Sequence, residues 1–326
     1  MKNPSSKTSK GFTLIELLVA MAITTIIITI LVSITGLSLD TWNRSRSQIS
    51  ASRQGKAMID SMTRDFESMI IRKGNKFEWL YAKSTPPTES PNNNTYASPN
   101  AADLVFFSAA TDRYNGNIGN TEADPDTGDA GEDKGGDVST IAYQLKYKNP
   151  IGSGGSSPDA FKTFVLYRKI INPDVTFTDT LGIPFTENGI DLLTKAQNAV
   201  SDSPTGNEID SSSNFICENV YQFTTTFHVE VTKADGTLTT APIRLGEGGS
   251  DIFKIGGGQL QMDTVPSGID INEVKAGRLT AVEISLTVLT NFGLKQMKNR
   301  DTIDDLDDFI AENSYQFSKL IPVPGG

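Results

Sequence analysis

Residues Lys10 to Val32 read KGFTLIELLVAMAITTIIITILV. Ahead of them, Met1 to Lys10 is polar and carries Lys2, Lys7 and Lys10 with no acid. From Phe12 to Ile34 the residues are mostly Ile, Leu, Val and Ala, broken by Thr and Ser. Such a helix of roughly 23 residues is about 34 Å long, enough to cross a bilayer. Lysines ahead of the span hold that end in the cytoplasm and imply an exported remainder. A secretory signal peptide would have a shorter apolar region, about 7–15 residues, ending at a small-residue cleavage site. Here the best break point, Gly11, precedes the apolar run, so cleavage there would keep the hydrophobic helix. One residue does not fit a plain anchor. Glu16 sits near the start of the span, where a carboxylate costs roughly 2.5–3.5 kcal/mol on insertion scales.

Lys10-Gly11-Phe12-Thr13-Leu14-Ile15-Glu16-Leu17-Leu18-Val19 resembles the type III signal of type IV pilins and type II secretion pseudopilins. That resemblance implies a prepilin peptidase that cuts between Gly11 and Phe12 and then N-methylates Phe12. Loss of the three-lysine leader would move the formal charge from -10 to about -13. Glu16 then has a physical reason to be there. Cleavage frees an ammonium on Phe12, one helical turn away, and in a stack of parallel helices a neighbour's amine is within reach. A buried carboxylate is tolerable when paired, so the cost of leaving Glu16 unpaired favours docking between subunits.

The helix is expected to continue from Asp40 to about Arg72, with Gly74 as a stop signal. Met58, Ile59, Met62, Phe66, Met69 and Ile70 recur at three- and four-residue steps and define an apolar face. Arg53, Lys56, Asp60, Arg64, Asp65 and Glu67 fill the rest. Gly36 and Gly55 read as weak points, each costing about 1 kcal/mol against Ala.

Beyond Gly74 the pattern changes to strands. LVFFS, VSTIAYQLKY, FKTFVLYRKI, the run Phe215 to Val231, and LTAVEISLTVL alternate in period two or read as short apolar runs. The fold class is therefore α+β and type IV pilin-like: a long N-terminal helix packed on an antiparallel β-sheet head. The expected divisions are a leader at 1–11, a transmembrane and fibre-core helix at 12–39, an amphipathic continuation at 40–73, and a β-rich head at 74–326. Asp301 to Glu312 is an acidic helix candidate, and Ser84 to Asn100 reads as a mobile surface loop.

The order of these segments resembles the minor pseudopilin J of type II secretion. So does AMIDSMTRD, Ala57 to Asp65, since helices of that family tend to carry Arg or Asp near the sheet contact. Arg278-Leu279-Thr280 stands where the J pattern has Leu-Pro. Long inserts at Ser84–Asn100, Ile118–Asp137 and Asp174–Asp210 resemble a narrower group, the prepilin-like Verru_Chthon cassette proteins. These resemblances imply a non-enzymatic minor subunit at or near the tip of a type II secretion pseudopilus. They also imply I- and K-like partners and a major pseudopilin. The subunit would be a single-pass inner-membrane protein with a cytoplasmic N-terminus and a periplasmic head before it joins the pseudopilus or reaches the cell surface. The alternatives are a minor type IV pilin in adhesion or DNA uptake, and a membrane-tethered enzyme.

Other chemistry finds little support. An acidic balance argues against nucleic acid held through phosphates. The single His228 lies in a strand pattern, which excludes a multi-histidine metal site. Cys217, the only cysteine, reads as a small core residue. Gly256 to Gly258 lacks the spacing of a nucleotide loop. Asp124, Asp126 and Asp129 lie in an acidic, glycine-rich insert and are candidate calcium ligands, although the spacing is not that of an EF-hand. The competing reading of that insert is a solvated loop. No other cofactor is expected.

Overall fold

A computed structural model describes residues 12–72, 77–109, 138–151, 161–171, 173–181, 191–198, 209–300 and 302–324. The chain divides into two compact units, Met1–Ile49 and Ser50–Gly326. Helix α1 runs Leu14–Glu67. It is followed by β1 (Glu78–Ser84), α2 (Pro91–Asn94), β2 (Ala102–Ser108), β3 (Ser139–Lys148) and β4 (Thr163–Ile171). Next come α3 (Pro173–Val175), which leads into a π-helical turn at Thr176–Thr180, then α4 (Leu192–Asn198), β5 (Phe215–Glu218) and β6 (Val220–Thr232). The remaining elements are β7 (Leu238–Arg244), β8 (Ile252–Gly256), β9 (Gln259–Met262), α5 (Ile271–Lys275), β10 (Arg278–Leu289), α6 (Asn291–Asn299), α7 (Leu306–Asn313) and β11 (Ser314–Pro322). A long N-terminal apolar helix followed by antiparallel sheets is the α+β, pilin-like architecture expected from the sequence.

In the first unit every residue from Phe12 to Arg46 is exposed. This part of α1 contains an 18-residue window of mean hydropathy 2.7, none of it buried. Its hydroxyls do not break the apolar character, because each turns back on the helix. Thr24, Thr25, Thr29, Ser33, Thr35 and Ser38 donate to the carbonyls four residues earlier at 2.7–3.0 Å. A hydroxyl satisfied this way does not require water.

In the second unit the strands form a seven-stranded sheet, β5-β4-β3-β2-β1-β8-β9, and a four-stranded sheet, β11-β10-β6-β7. The pairings are antiparallel throughout. Ala51, Met58, Ile59, Met62 and Phe66 of α1 are buried, as the stripe requires. Phe66 stacks on Phe106 of β2 at 4.4 Å between centroids. Aromatic pairs then join the two sheets: Phe227 with Phe253 at 4.1 Å, Tyr143 with Phe223 at 6.5 Å, and Phe164 with Tyr221 at 5.3 Å. Helix and both sheets thus share one core.

Several expectations are corrected. Helix α1 stops at Glu67 and not near Arg72, because the chain then binds the end of β2. Met69 bridges to Ser108, and the Ile70 N–H donates to the Phe107 carbonyl at 2.8 Å. Gly74 lies outside the described residues. The run Phe215 to Val231 is not one strand. Asn219 adopts φ 63 and breaks it into β5 of the larger sheet and β6 of the smaller; Asn tolerates this left-handed conformation better than most residues. The segment Ser84 to Asn100 is not a mobile surface loop, because Tyr96 is buried and its hydroxyl donates to the Arg300 carbonyl at 3.0 Å. The acidic helix begins at Leu306, where the Asp305 side chain caps it by accepting from the Asp308 N–H at 3.0 Å. Of the glycine run, Gly256 ends β8, and Gly257 with Gly258 forms the two-residue turn to β9. Gly257 and Gly258 have φ 63 and 81, as a type I′ hairpin demands.

Candidate functional site

The start of α1 is built by local hydrogen bonds. Thr13 precedes the first helical residue, and Glu16 lies three residues on. The Glu16 N–H donates to Thr13 Oγ1 at 3.3 Å. Glu16 Oε2 accepts from both the Thr13 N–H and the Thr13 hydroxyl at 2.9 Å. This reciprocal pair is a capping box, which satisfies donors that the first turn otherwise leaves unpaired. Its sequence signal is Thr13-x-x-Glu16 ahead of an apolar run. The box lies wholly after the Gly11–Phe12 bond, so it does not depend on residues 1–11. Both bonds fall on Oε2, so Oε1 retains capacity for a further donor. Phe12 is 86% exposed. Gly11 lies outside the described residues.

A second constellation fixes α1 to the head within the second unit. Asp65 is fully buried and accepts from Arg168 Nε and Nη2 of β4 at 2.7 and 2.8 Å. The hydroxyl of Tyr143 on β3 donates to the same carboxylate. The sequence reading placed Asp65 among the polar residues of the helix surface. The structure corrects this: position 65 falls inside the 62–66–69 stripe, and the acid is tolerable there because a bidentate guanidinium meets it.

The face of the larger sheet away from α1 carries a third group. Glu78 of β1 accepts from the Leu192 N–H at 2.7 Å and lies 3.6 Å from Lys254 Nζ. Burial pushes the Glu78 carboxyl up, against the pull of Lys254. Lys254 also sits over the Tyr81 ring at 4.6 Å. Lys169 of β4 is buried, donates to the Ala196 carbonyl of α4 at 3.2 Å, and is pushed down to about 8 by burial. Nearby, Thr140 of β3 bonds Thr176 and Thr180 of the π-helical turn. These groups hold α4 and the π-helical turn against the sheet.

The remaining sequence candidates are dispersed. Cys217 is buried, which pushes its thiol up to about 12, so it presents no thiolate near neutral pH. His228 lies on β6, with Nε2 3.4 Å from Glu283 Oε2 of β10. Among the described residues no group of three or more His, Cys, Asp or Glu side chains converges. Asp124, Asp126 and Asp129 lie outside the described residues.

Residues 6–32 match the family model for the prokaryotic N-terminal methylation motif. No curated protein and no solved structure matches the chain. With the exposed apolar helix behind it, the motif is that of a prepilin-like protein. It implies processing by a prepilin peptidase, assembly with other pilin-like subunits, and anchoring in a membrane through the apolar helix.

Proposed function

We propose that this chain is a non-enzymatic minor pseudopilin of type II secretion, cleaved between Gly11 and Phe12 and N-methylated on Phe12. Its head stands on the periplasmic side of the inner membrane. Residues 12–39 wait in the bilayer and then pack among the N-terminal helices of other subunits, including I- and K-like partners. Glu16 pairs with the ammonium of a neighbouring Phe12. The head, built from two sheets and long insertions, crowds a repeating shaft and suits a position at the tip.

The observation that carries this reading is the juxtaposition at the helix start. A matched methylation motif runs into a helix that is mostly apolar and wholly exposed from Phe12 to Leu39. At its first turn stands a carboxylate held by its own cap with one oxygen to spare. An exposed apolar helix in water is unstable, so it needs lipid or other helices. The order of strands in the head supports the J-like assignment.

Deletion of the gene tests the assignment. The expected result is that secreted enzymes remain in the periplasm while twitching and DNA uptake continue. Normal secretion with lost twitching or transformation would contradict it and favour a minor type IV pilin.

A further inference from the structure

The stretch after the apolar helix has an unusual charge. From Thr41 to Ile59 the sequence carries Arg44, Arg46, Arg53 and Lys56 and no acid, in a chain of net charge -10. The first two cations follow Trp42 by two and four residues, and Trp42 is 67% exposed on α1. We propose that Trp42, Arg44 and Arg46 form a collar that binds anionic phospholipid headgroups on the head's side of the membrane. This rests on reading residues 12–39 as the membrane span.

Depth along the helix supports the assignment. At 1.5 Å per residue, Trp42 lies about 5 Å beyond Leu39, and Arg44 and Arg46 about 8 and 10 Å beyond it. The polar layer of a bilayer is about 5–8 Å thick on each side. Trp42 therefore falls at the interface, where an amphipathic indole is most favourable. The two arginines reach the phosphates by folding their stems back toward the hydrocarbon. Trp42 and Arg46 are four residues apart and share a face, while Arg44 lies on the opposite flank, so the cations surround the helix. A guanidinium matches a phosphate in a two-pronged geometry. A phosphatidylcholine headgroup brings its own ammonium to that phosphate, and phosphatidylglycerol does not. Asp40, one turn before Arg44, offsets part of the charge. Arg53 lies about 21 Å beyond Leu39, about 13–16 Å past the polar layer and so beyond one screening length of about 8 Å, and contributes little.

The full chain, reconstituted in phosphatidylcholine bilayers, allows a direct test. It has two tryptophans, Trp42 and the buried Trp79. A Trp79→Phe background leaves Trp42 as the only indole; if that variant unfolds, subtracting a Trp42→Phe control from the parent isolates the same signal. Brominated phosphatidylglycerol and brominated phosphatidylcholine are compared as quenchers at equal mole fraction. The expected preference for the anionic lipid is about fivefold per arginine, less the share that Asp40 offsets. Arg44→Gln with Arg46→Gln brings the ratio close to one, and Lys56→Gln leaves it unchanged. Equal quenching in the parent, or a preference that survives the double substitution, overturns the proposal. Quenching by both lipids that fades as protein is added shows that a second copy covers the collar, and also overturns it. No quenching by either lipid removes Trp42 from the interface and overturns the membrane span together with the collar.

Discussion

Glu16 accepts two hydrogen bonds from Thr13 through one carboxylate oxygen, so its desolvation is partly met within its own chain. The attraction to a neighbouring ammonium is therefore weaker than insertion costs alone suggest, but the helix start is better defined. The two roles can be separated. Glu16→Gln keeps an acceptor for the cap and removes the charge. It is expected to enter the membrane at least as well as the parent, yet to join filaments roughly tenfold less, the equivalent of about 1.4 kcal/mol. Quantifying each variant in sheared filaments checks this, and incorporation equal to the parent would mean that the ion pair does not drive docking. Asp65 is a different kind of acid, with no solvent and a bidentate partner. Asp65→Ala leaves the half-buried Arg168 and the buried Tyr143 hydroxyl without their acceptor and is expected to cost about 1–3 kcal/mol. The paired change Asp65→Leu with Arg168→Met should recover most of that in denaturant unfolding of the full chain in detergent. The resemblance of Ala57 to Asp65 to a family helix with Arg or Asp near the sheet contact hints that the acid faces the sheet, but not what meets it there. Its partners, Tyr143 on β3 and Arg168 on β4, lie far along the chain and leave no local mark.

Helix α1 carries two glycines that look alike in the sequence and differ in the fold. A Cβ on Gly36 would meet nothing within 4 Å, whereas a Cβ on Gly55 would lie 2.1 Å from the Phe317 ring of β11. Gly36→Ala is expected to stabilise the helix by up to about 1 kcal/mol. Gly55→Ala is expected to destabilise the head by about 1–3 kcal/mol through overpacking. Thermal melts of the two variants in detergent should therefore shift in opposite directions. The same contrast explains which elements were legible. The stripe Met58–Ile59–Met62–Phe66 repeats locally, so periodicity found it. Strands β2, β3, β4 and β10 are long apolar or alternating runs and were found within a residue or two. Strands β8 and β9 have five and four residues, too few for alternation to register. Strand β1 lies between β2 and β8 and is buried on both faces over its first five residues, so it shows no alternation. The break at Asn219 was missed because both halves of Phe215–Val231 are strand-like and only the backbone angle divides them.

For the molecule as a whole, one apolar helix and one acidic head have different requirements. The head closes its own core, with Phe66, Phe106, Phe223 and Phe227 fully buried. Among the described residues nothing covers the segment Phe12–Leu39, and an apolar helix of that kind takes its cover from lipid or from other subunits. The head also contains a buried cation that makes its stability depend on pH. Lys169 holds its proton less tightly when folded, at about 8 against an ordinary 10.5. Its charging cost is therefore full below pH 8 and fades as the pH climbs toward 10.5. Lys169→Met should be more stable than the parent at neutral pH by up to about 3 kcal/mol. That advantage should shrink through the same pH window when the two proteins are melted side by side. The difference isolates Lys169 from Cys217, Tyr81 and Tyr167, whose raised values act in the opposite direction at high pH. Whether the apolar helix becomes the N-terminus of a processed subunit is settled most directly by mass spectrometry of the chain recovered from its native membrane. The account predicts that residues Met1 to Gly11 are absent and that the first residue is a singly N-methylated Phe12. An intact Met1, or a chain that begins beyond Ile34, would contradict it.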